Sequence, residues 1–269
     1  MSSNGTQLQE ESNGMSFGLY AQVYDLIYED KDYAAEAHFV ADVLRRFLGP
    51  AADGADIIDL ACGTGRHLFE LAGKGFKLTG NDLSPQMVRV AKESSSRLGL
   101  AIPFHQESFQ TCARIVGKFD VALILFASAG YLTTASQVSE MLRNVGSLLK
   151  PGGIIILDVW NGLAVLRQYS PVREKSARRR DMRVRRVSTT ELDELHHVAR
   201  ISFDFSVIKD DATELRFNER HCVRFFFPQE FADILEKEGY RVLLRCPFLD
   251  SSRDITPSDW NMTFVVRRN

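Results

Sequence analysis

The stretch IIDLACGTGRHLFELAGKGFKLTGND, residues 57–82, decides how this chain is interpreted. It contains an apolar run, a glycine-rich turn, an amphipathic segment and a second apolar run that ends at Asp82. Short apolar runs on either side of a helical pattern are typical of a β-α-β unit with buried, parallel strands. We therefore predict a strand over Asp56–Leu60, a helix over Arg66–Lys74 and a strand over Phe76–Asn81.

The alternation of strands and helices continues after this unit. Ser84-Pro85 predicts a helix start, because serine is a good N-cap and proline suits the first turn. The run FDVALILF, Phe119–Phe126, is apolar enough for a strand buried on both faces. The turn Lys150–Gly153 then leads into a further strand, Ile154–Trp160. This order predicts an α/β fold with a Rossmann-like, doubly wound and mostly parallel sheet of seven strands.

The pattern changes after about residue 170, where long strands follow one another. The segment ARISFDFSVI, residues 199–208, alternates apolar and polar side chains, as a half-buried antiparallel strand does. We predict a three-stranded antiparallel sheet inserted over residues 171–226, covering the site where a second substrate binds. Residues 16–170 and 227–269 then form the main domain, and the polar residues 1–15 form a disordered tail.

Composition and charge exclude several classes of protein. The chain has 269 residues, 45% of them apolar, and a formal net charge of −2, so nothing attracts it generally to nucleic acid or to an anionic membrane. No apolar run approaches the roughly 20 residues of a membrane span, and the polar start lacks a signal core. The four cysteines form no CxxC pair, which favours reduced thiols and no metal. We expect a cytoplasmic protein without membrane or nucleic-acid partners.

The glycine turn and the acid together describe a ligand. Gly63 and Gly65 allow a close approach of the backbone, and the helix that follows offers free amide N–H groups to an anion. Asp82 ends the next strand, where a carboxylate can accept hydrogen bonds from ribose hydroxyls. A dinucleotide site would need a third glycine, but Leu68 stands there, and no phosphate-loop lysine follows. The pattern indicates a nucleoside that carries an acidic end.

These residues resemble the motifs of the class I S-adenosylmethionine-dependent methyltransferases. Asp59–Gly65 is similar to their first motif, with Ala61 in the place of its first glycine, GNDLSPQMVRVAK resembles the second motif, and LLKPGGIIILD resembles the approach to the fifth strand. The resemblance implies S-adenosyl-L-methionine as the cofactor, with Asp82 on the ribose. The other residues that it implies near the cofactor are Asp59, Ala61, Gly63, Gly65, Arg66, Leu83, Met87 and Phe126.

One segment departs from the family pattern. An aspartate often touches the adenine amine after the third strand of these enzymes, and Ser108 stands in that place here. Either Ser108 or a backbone group reads the base and Phe109 stacks near it, or the segment is a plain surface loop.

Three further features are similar to nucleotide-linked aminosugar N-methyltransferases and to glycine N-methyltransferase. They are YDLIYEDKDYAAEA, FASAGYL and the inserted sheet. The resemblance implies that Tyr24 and Tyr33 close over the cofactor, and that Tyr131 faces the acceptor with Tyr24 as a further catalytic candidate. Asp158, after the fifth strand, either orients an amine or caps the next helix. The tyrosine stripe that includes Tyr24 could equally be a helix packing face.

The leading hypothesis is methyl transfer by in-line displacement to a nitrogen or oxygen of a small molecule, such as an amino sugar or another metabolite. One alternative is a regulatory protein that binds S-adenosylmethionine without turnover. Another is an RNA or protein methyltransferase that uses the basic run Arg173–Arg186, which could also clamp a phosphate or simply be a solvated edge strand. The expected partners are a small-molecule acceptor and a second copy of the chain in a homodimer.

Overall fold

The computed structural model describes residues 20–21, 23–179, 182–210 and 213–269. The tail predicted for residues 1–15 lies outside them. The described chain forms two compact units. The larger comprises Asp32–Tyr169, Glu194–Val198 and Val223–Asn269, and the smaller comprises the described residues up to Lys31 with Ser170–Asp193 and Ala199–Cys222.

The strands and helices follow the predicted alternation up to residue 168. The strands are β1 (Asp56–Asp59), β2 (Lys77–Asn81), β3 (Phe104–His105), β4 (Phe119–Ile124), β5 (Leu149–Trp160), β6 (Val172–Arg179), β7 (Met182–Asp193), β8 (Val198–Lys209), β9 (Glu214–Arg224), β10 (Tyr240–Pro247) and β11 (Asn261–Arg268). The helices are α1 (Tyr33–Leu48), α2 (Arg66–Leu71), α3 (Pro85–Arg97), α4 (Ala135–Leu148), α5 (Gly162–Gln168) and α6 (Pro228–Lys237). Residues 20–21 and 23–27 are also helical.

A seven-stranded sheet forms the centre of the larger unit, in the order β10-β11-β5-β4-β1-β2-β3. The pairings of β1 with β2 and β4, of β2 with β3, and of β4 with β5 are parallel. Strand β11 pairs antiparallel with β5 and β10. The predicted α/β, mostly parallel sheet of seven strands is therefore confirmed.

Both faces of this sheet are buried, as a doubly wound fold requires. Ile57 faces a core cluster that includes Val40 and Leu44 of α1. The next residue, Ile58, faces a second cluster that includes Leu142 of α4 and Phe231 of α6. Because neighbouring residues of a strand point to opposite faces, the continuous apolar run of β1 serves both layers.

Side-chain caps explain where the helices of the larger unit begin. Ser84 accepts a hydrogen bond from the Met87 backbone N–H at 3.3 Å, and Pro85 occupies the first turn of α3. Thr134 and Gln137 form a capping box at the start of α4. The predicted serine cap at residue 84 is confirmed.

The inserted sheet has four strands, in the order β6-β7-β8-β9, and not the predicted three. The missing strand was β6, which pairs antiparallel with β7 from Val172↔Thr189 to Arg179↔Met182. Its sequence, VREKSARR, has no alternation of apolar and polar residues because it lies at an edge and is largely exposed. Hydrophobic periodicity cannot detect such a strand.

The turn predicted at Lys150–Gly153 lies inside β5, which begins at Leu149. The pairing with β4 is irregular at this point, where the register shifts between Phe119↔Leu149 and Val121↔Ile154. Gly152 has a φ of 76°, so the glycine pair allows a bulge instead of ending the strand.

The smaller unit groups the described N-terminal residues with most of the four-stranded sheet. The Tyr20 ring lies 5.6 Å from that of Phe205, and an Arg186 guanidinium nitrogen donates a hydrogen bond to the Tyr28 hydroxyl at 2.9 Å. These units divide the chain at other positions than the predicted boundary at residues 171–226. That this insertion covers the acceptor site stays a prediction.

Candidate active site

The glycine turn joins β1 to α2 with two residues in the left-handed region. Gly63 has a φ of 55° and Gly65 a φ of 86°, and the Gly65 N–H donates to the Cys62 carbonyl at 2.9 Å. A Cβ on Gly65 would lie 2.7 Å from the tip of the Phe69 ring, which would have to shift, and the positive φ of Gly65 itself favours glycine. A Cβ on Gly63 would meet nothing within 4 Å, so the space beside this residue is open to a ligand.

The carboxylate of Asp82 lies directly against this turn. The Gly63 N–H donates to one of its oxygens at 2.8 Å, and the Ser84 N–H donates to the other at 2.9 Å. Burial raises the pKa of Asp82, and these two hydrogen bonds partly offset the effect. A carboxylate can accept about four hydrogen bonds, which leaves capacity for two ribose hydroxyls. The structure thus brings together the two features that the sequence singled out.

Asn81 holds the strand ends around this carboxylate, and the sequence analysis missed it. Its amide nitrogen donates to the carbonyls of Leu60, at 3.2 Å, and Glu107, at 2.9 Å. Its amide oxygen accepts from the Glu107 N–H at 2.9 Å, and the residue is fully buried. One side chain therefore joins the ends of β1 and β2 to the loop after β3. Its position directly before Asp82, as a polar residue ending a strand, was the available signal.

The titratable residues of the first motif, Asp59 and Cys62, are buried. Asp59 is buried and accepts a 3.4 Å hydrogen bond from the Ala61 N–H. Burial, with the nearby charges of Asp59 and Asp82, raises the pKa of the Cys62 thiol well above its usual range. The thiol in the turn is therefore neutral. All four cysteines are free in the structure.

The residues expected around the base lie in two places. Leu83 is 68% exposed immediately after Asp82, whereas Met87 is buried in the first turn of α3. The Ser108 hydroxyl is within hydrogen-bond distance of the Thr111 hydroxyl, at 3.1 Å, and it accepts a hydrogen bond from the Thr111 backbone N–H at 3.2 Å. Phe109 packs against the core cluster beneath α4. That these residues contact adenine stays a prediction.

Tyr33 and Arg66 contact each other beside the glycine turn. Arg66, the first residue of α2, places its guanidinium 4.9 Å from the centre of the Tyr33 ring. Beneath them lies a buried pair that the sequence analysis also missed, His67 and Glu36. No motif signals this pair, because its members are 31 positions apart on two different helices.

The loop after β4 has an unusual backbone. Phe126 and Ala127 have φ values of 61° and 56°, which non-glycine residues rarely adopt. The Asp158 carboxylate fixes this turn by accepting hydrogen bonds at 3.0 Å from the Ala127 N–H and from the Asn261 amide. Tyr131 ends the short 3-10 helix that follows, and it is 52% exposed.

The interpretation of Asp158 as a helix cap is wrong. Asn161 caps α5, where its side chain accepts a hydrogen bond from the Leu163 N–H at 3.1 Å. Asp158 lies three residues earlier, in β5, where it is fully buried and holds the loop after β4. That it also orients an amine stays a prediction.

Comparisons with known proteins agree with this geometry. A solved S-adenosylmethionine-dependent methyltransferase from Clostridium acetobutylicum ATCC 824 shares the fold, with a TM-score of 0.79 at 22% identity over 93% of this chain and 98% of that one. A family model described as a methyltransferase domain matches residues 57–153. A Bacillus subtilis (strain 168) protein named as a methyltransferase, YqeM, is 30% identical over 83% of this chain and 85% of its own length. The chain belongs to the S-adenosylmethionine-dependent methyltransferases.

The methyltransferase is also similar to an enzyme of known acceptor. It is 28% identical, over 83% of this chain and 90% of that one, to the dTDP-3-amino-3,4,6-trideoxy-alpha-D-glucopyranose N,N-dimethyltransferase of Streptomyces venezuelae. The cofactor of this chain is S-adenosyl-L-methionine. The open space beside Gly63 and the remaining acceptor capacity of Asp82 fit this cofactor.

Two predicted features of the methyltransferase lie in the smaller unit. Tyr24 packs among the tyrosines of its helix, with ring centres 5.6 Å from Tyr20 and 4.7 Å from Tyr28. The described part of the basic run Arg173–Arg186 forms the hairpin of β6 and β7, with β6 at the edge of its sheet. This position fits the interpretation of the run as a charged edge strand. A catalytic role for Tyr24 stays a prediction.

The described residues of the methyltransferase lack two further features. No helix among them is both long enough and apolar enough to cross a membrane. Their His, Cys, Asp and Glu side chains form no group of three or more that could hold a metal ion.

Proposed function

We propose that this methyltransferase transfers a methyl group from S-adenosylmethionine to the amine nitrogen of a small molecule, an amino sugar linked to a nucleoside diphosphate. The similarity to the Streptomyces venezuelae N,N-dimethyltransferase, which extends over most of both chains, supports this class of acceptor. The observation that carries the cofactor side is the 2.8 Å hydrogen bond from the Gly63 N–H to the Asp82 carboxylate.

The cofactor lies across the carboxyl ends of β1 and β2 in this proposal. Asp82 accepts hydrogen bonds from the ribose, and the backbone at Gly63 passes close to the ligand. Leu83 and Met87 flank the adenine. Arg66 and Tyr33, on the other side of the turn, face the methionine end, where a cation suits the carboxylate.

The chemistry asks little of the protein beyond alignment. When bound, S-adenosylmethionine supplies a methyl group on a positively charged sulfur, which is already activated for displacement. The chain must hold the acceptor nitrogen in line with that bond and keep the site free of competing water. Because the methyl group passes directly to the acceptor nitrogen, no covalent intermediate with a side chain is needed.

The loop after β4 is the proposed acceptor side. Its left-handed turn is held by Asp158, and it presents Tyr131 at its end. A Cβ on Gly130 would lie 2.9 Å from the Arg224 carbonyl oxygen, so the loop is packed closely against the end of β9. A rigid loop suits the placing of a hydroxyl that accepts or donates a hydrogen bond at the amine. We assign that role to Tyr131.

A turnover assay tests the proposal. The purified protein is incubated with S-adenosylmethionine and a panel of nucleoside-diphosphate sugars that differ at one carbon, carrying an amine, a methylamine or a hydroxyl. We expect S-adenosylhomocysteine release with the amine and the methylamine, and a methylated product by mass spectrometry. Release with the hydroxyl sugar instead would replace N-methylation by O-methylation. If the protein binds S-adenosylmethionine but methylates none of the sugars in the panel, the regulatory alternative is favoured.

A further inference from the structure

Glu36 and His67 form a buried polar pair that the proposed chemistry does not use. The His67 Nε2 and a Glu36 carboxylate oxygen are 2.6 Å apart, and both side chains are almost completely buried. Which group donates depends on the protonation of the pair: with an ionised carboxylate, which only accepts, Nε2 carries the hydrogen. A short hydrogen bond between two buried groups restrains the direction of the imidazole Nε2.

The imidazole of His67 packs against Tyr33, and Tyr33 in turn packs against Arg66. The Tyr33 ring stands edge-on to it, with ring centres 5.0 Å apart and planes at 70°. On the Tyr33 ring lies the Arg66 guanidinium, 4.9 Å from the ring centre. The four side chains form a stack that runs from the interior, between α1 and α2, to the side of the glycine turn.

The end of this stack carries an unneutralised cation. Within the described residues, no carboxylate lies at ion-pair distance from Arg66, although the residue is half-buried. Arg66 directly follows Gly65 as the first residue of α2, so its side chain starts beside the glycine turn. A guanidinium suits a carboxylate because its planar donors match the two oxygens.

We propose that Glu36 and His67 are positioning residues that hold Tyr33 and Arg66 in place for the carboxylate of the cofactor's methionine end. This inference rests on the proposed cofactor site. The alternative is that the pair only stabilises the packing of α1 on α2. The two accounts differ in what they expect for a ligand that lacks the amino-acid end.

The experiment compares two ligands in four proteins. Isothermal titration measures the affinities for S-adenosylhomocysteine, which has the amino-acid end, and for 5′-methylthioadenosine, which lacks it. The proteins are the wild type and the variants Glu36→Ala, Glu36→Gln and Val43→Ala. Glutamine keeps an oxygen that accepts from Nε2. Val43 is buried on the same helix, within its core cluster, so its variant matches a loss of packing without touching the stack. Thermal melts establish that each variant is folded.

We expect Glu36→Ala to weaken the binding of S-adenosylhomocysteine about tenfold, equivalent to about 1.4 kcal/mol. The affinity for 5′-methylthioadenosine should stay unchanged. Glu36→Gln should retain most of the wild-type affinity for S-adenosylhomocysteine. Val43→Ala should leave the affinities for both ligands unchanged. Equal weakening of both ligands by Glu36→Ala, or no weakening at all, would overturn the inference. A wild type that binds neither ligand would instead refute the proposed cofactor site, so the two failures are distinguishable.

If Glu36→Ala does not fold, the decision passes to His67→Gln and His67→Phe. Glutamine can still donate to Glu36, whereas phenylalanine keeps the ring but not the hydrogen bond. Selective loss of S-adenosylhomocysteine affinity in His67→Phe, with rescue in His67→Gln, supports positioning. Identical ligand affinities in the two variants contradict it.

Discussion

Two aspartates at the carboxyl edge of the sheet have different roles because their burial differs. Asp158 is fully buried, and one of its oxygens accepts from Ala127 and Asn261, so it holds a loop. Asp82 also accepts two hydrogen bonds, one on each oxygen from a backbone N–H, but it is only half-buried, so a ligand can reach it. It therefore retains the capacity to accept from a ligand.

Removing the Asp82 carboxylate should weaken cofactor binding directly. Asp82→Ala loses the hydrogen bonds to the ribose, and we expect a cost of roughly 1 to 3 kcal/mol in the binding free energy. Isothermal titration with S-adenosylhomocysteine measures it. Asp53→Ala, at an exposed position, is the control and should bind normally. Unchanged affinity in a folded Asp82→Ala protein would contradict the ribose assignment.

Acid should weaken cofactor binding through the same group. Burial raises the folded-state pKa of Asp82 above 3.8, so the carboxylate becomes neutral at a higher pH than an exposed aspartate does. The neutral form has lost an acceptor, and we expect the dissociation constant to rise as pH falls through this raised pKa. Titrations from about pH 7 to pH 4 measure the change.

The linkage to stability has the opposite sign. Because the folded protein binds this proton more tightly than the unfolded chain, ionising Asp82 costs stability, and the cost disappears as pH falls below 3.8. Weaker binding in acid therefore cannot be ascribed to unfolding at Asp82. Asp82→Asn controls for titration of the ligand, and an identical pH profile in that variant would exclude Asp82 as the titrating group.

At the scale of elements, the site depends on how the strand ends are joined. Asn81→Ala should leave the carbonyls of Leu60 and Glu107 and one N–H without their buried partner, at a cost of about 1 to 3 kcal/mol in the free energy of unfolding. Urea denaturation measures this, and cofactor affinity should fall as well. Asn144→Ala loses two hydrogen bonds at less buried carbonyls, so it should be milder and leave cofactor affinity intact. Equal effects of both variants on affinity would contradict the role of Asn81.

The sequence predicted those elements whose local pattern agrees with their environment. The strands β1 and β4 are apolar because both their faces are buried, and α3 begins at a serine and a proline that specify its cap. Strand β6 could not be predicted, since its side chains are exposed and show no apolar pattern. Its extended conformation depends on backbone pairing with β7. The bulge in β5 was predicted as a turn because Pro-Gly-Gly is typical of both.

The candidate site was predicted only where its residues are close in sequence. Gly63, Gly65 and Asp82 belong to one β-α-β unit, so their meeting follows from the unit itself. The contact of Glu36 with His67 joins two helices, and periodicity carries no information about it. The hydrogen bonds from Asn81 to Glu107 likewise depend on the order of strands in the sheet.

At the scale of the whole molecule, charge argues against a nucleic-acid substrate. The net charge is −2, and acidic side chains pair with part of the basic hairpin, as Glu174 does with Arg185 and Asp30 with Lys175. We expect no RNA retention in filter binding between about 50 and 200 mM salt. Retention that falls steeply with salt, and that is lost in Arg183→Gln, would support the RNA alternative. The homodimer stays a prediction that analytical ultracentrifugation can decide.

The most direct test of the account is a crystal structure with S-adenosylhomocysteine bound. The account predicts both ribose hydroxyls at hydrogen-bond distance from the Asp82 carboxylate, with the ligand's amino-acid end passing Gly63 toward Arg66. A ligand bound elsewhere, or bound here with its ribose turned away from Asp82, would contradict it.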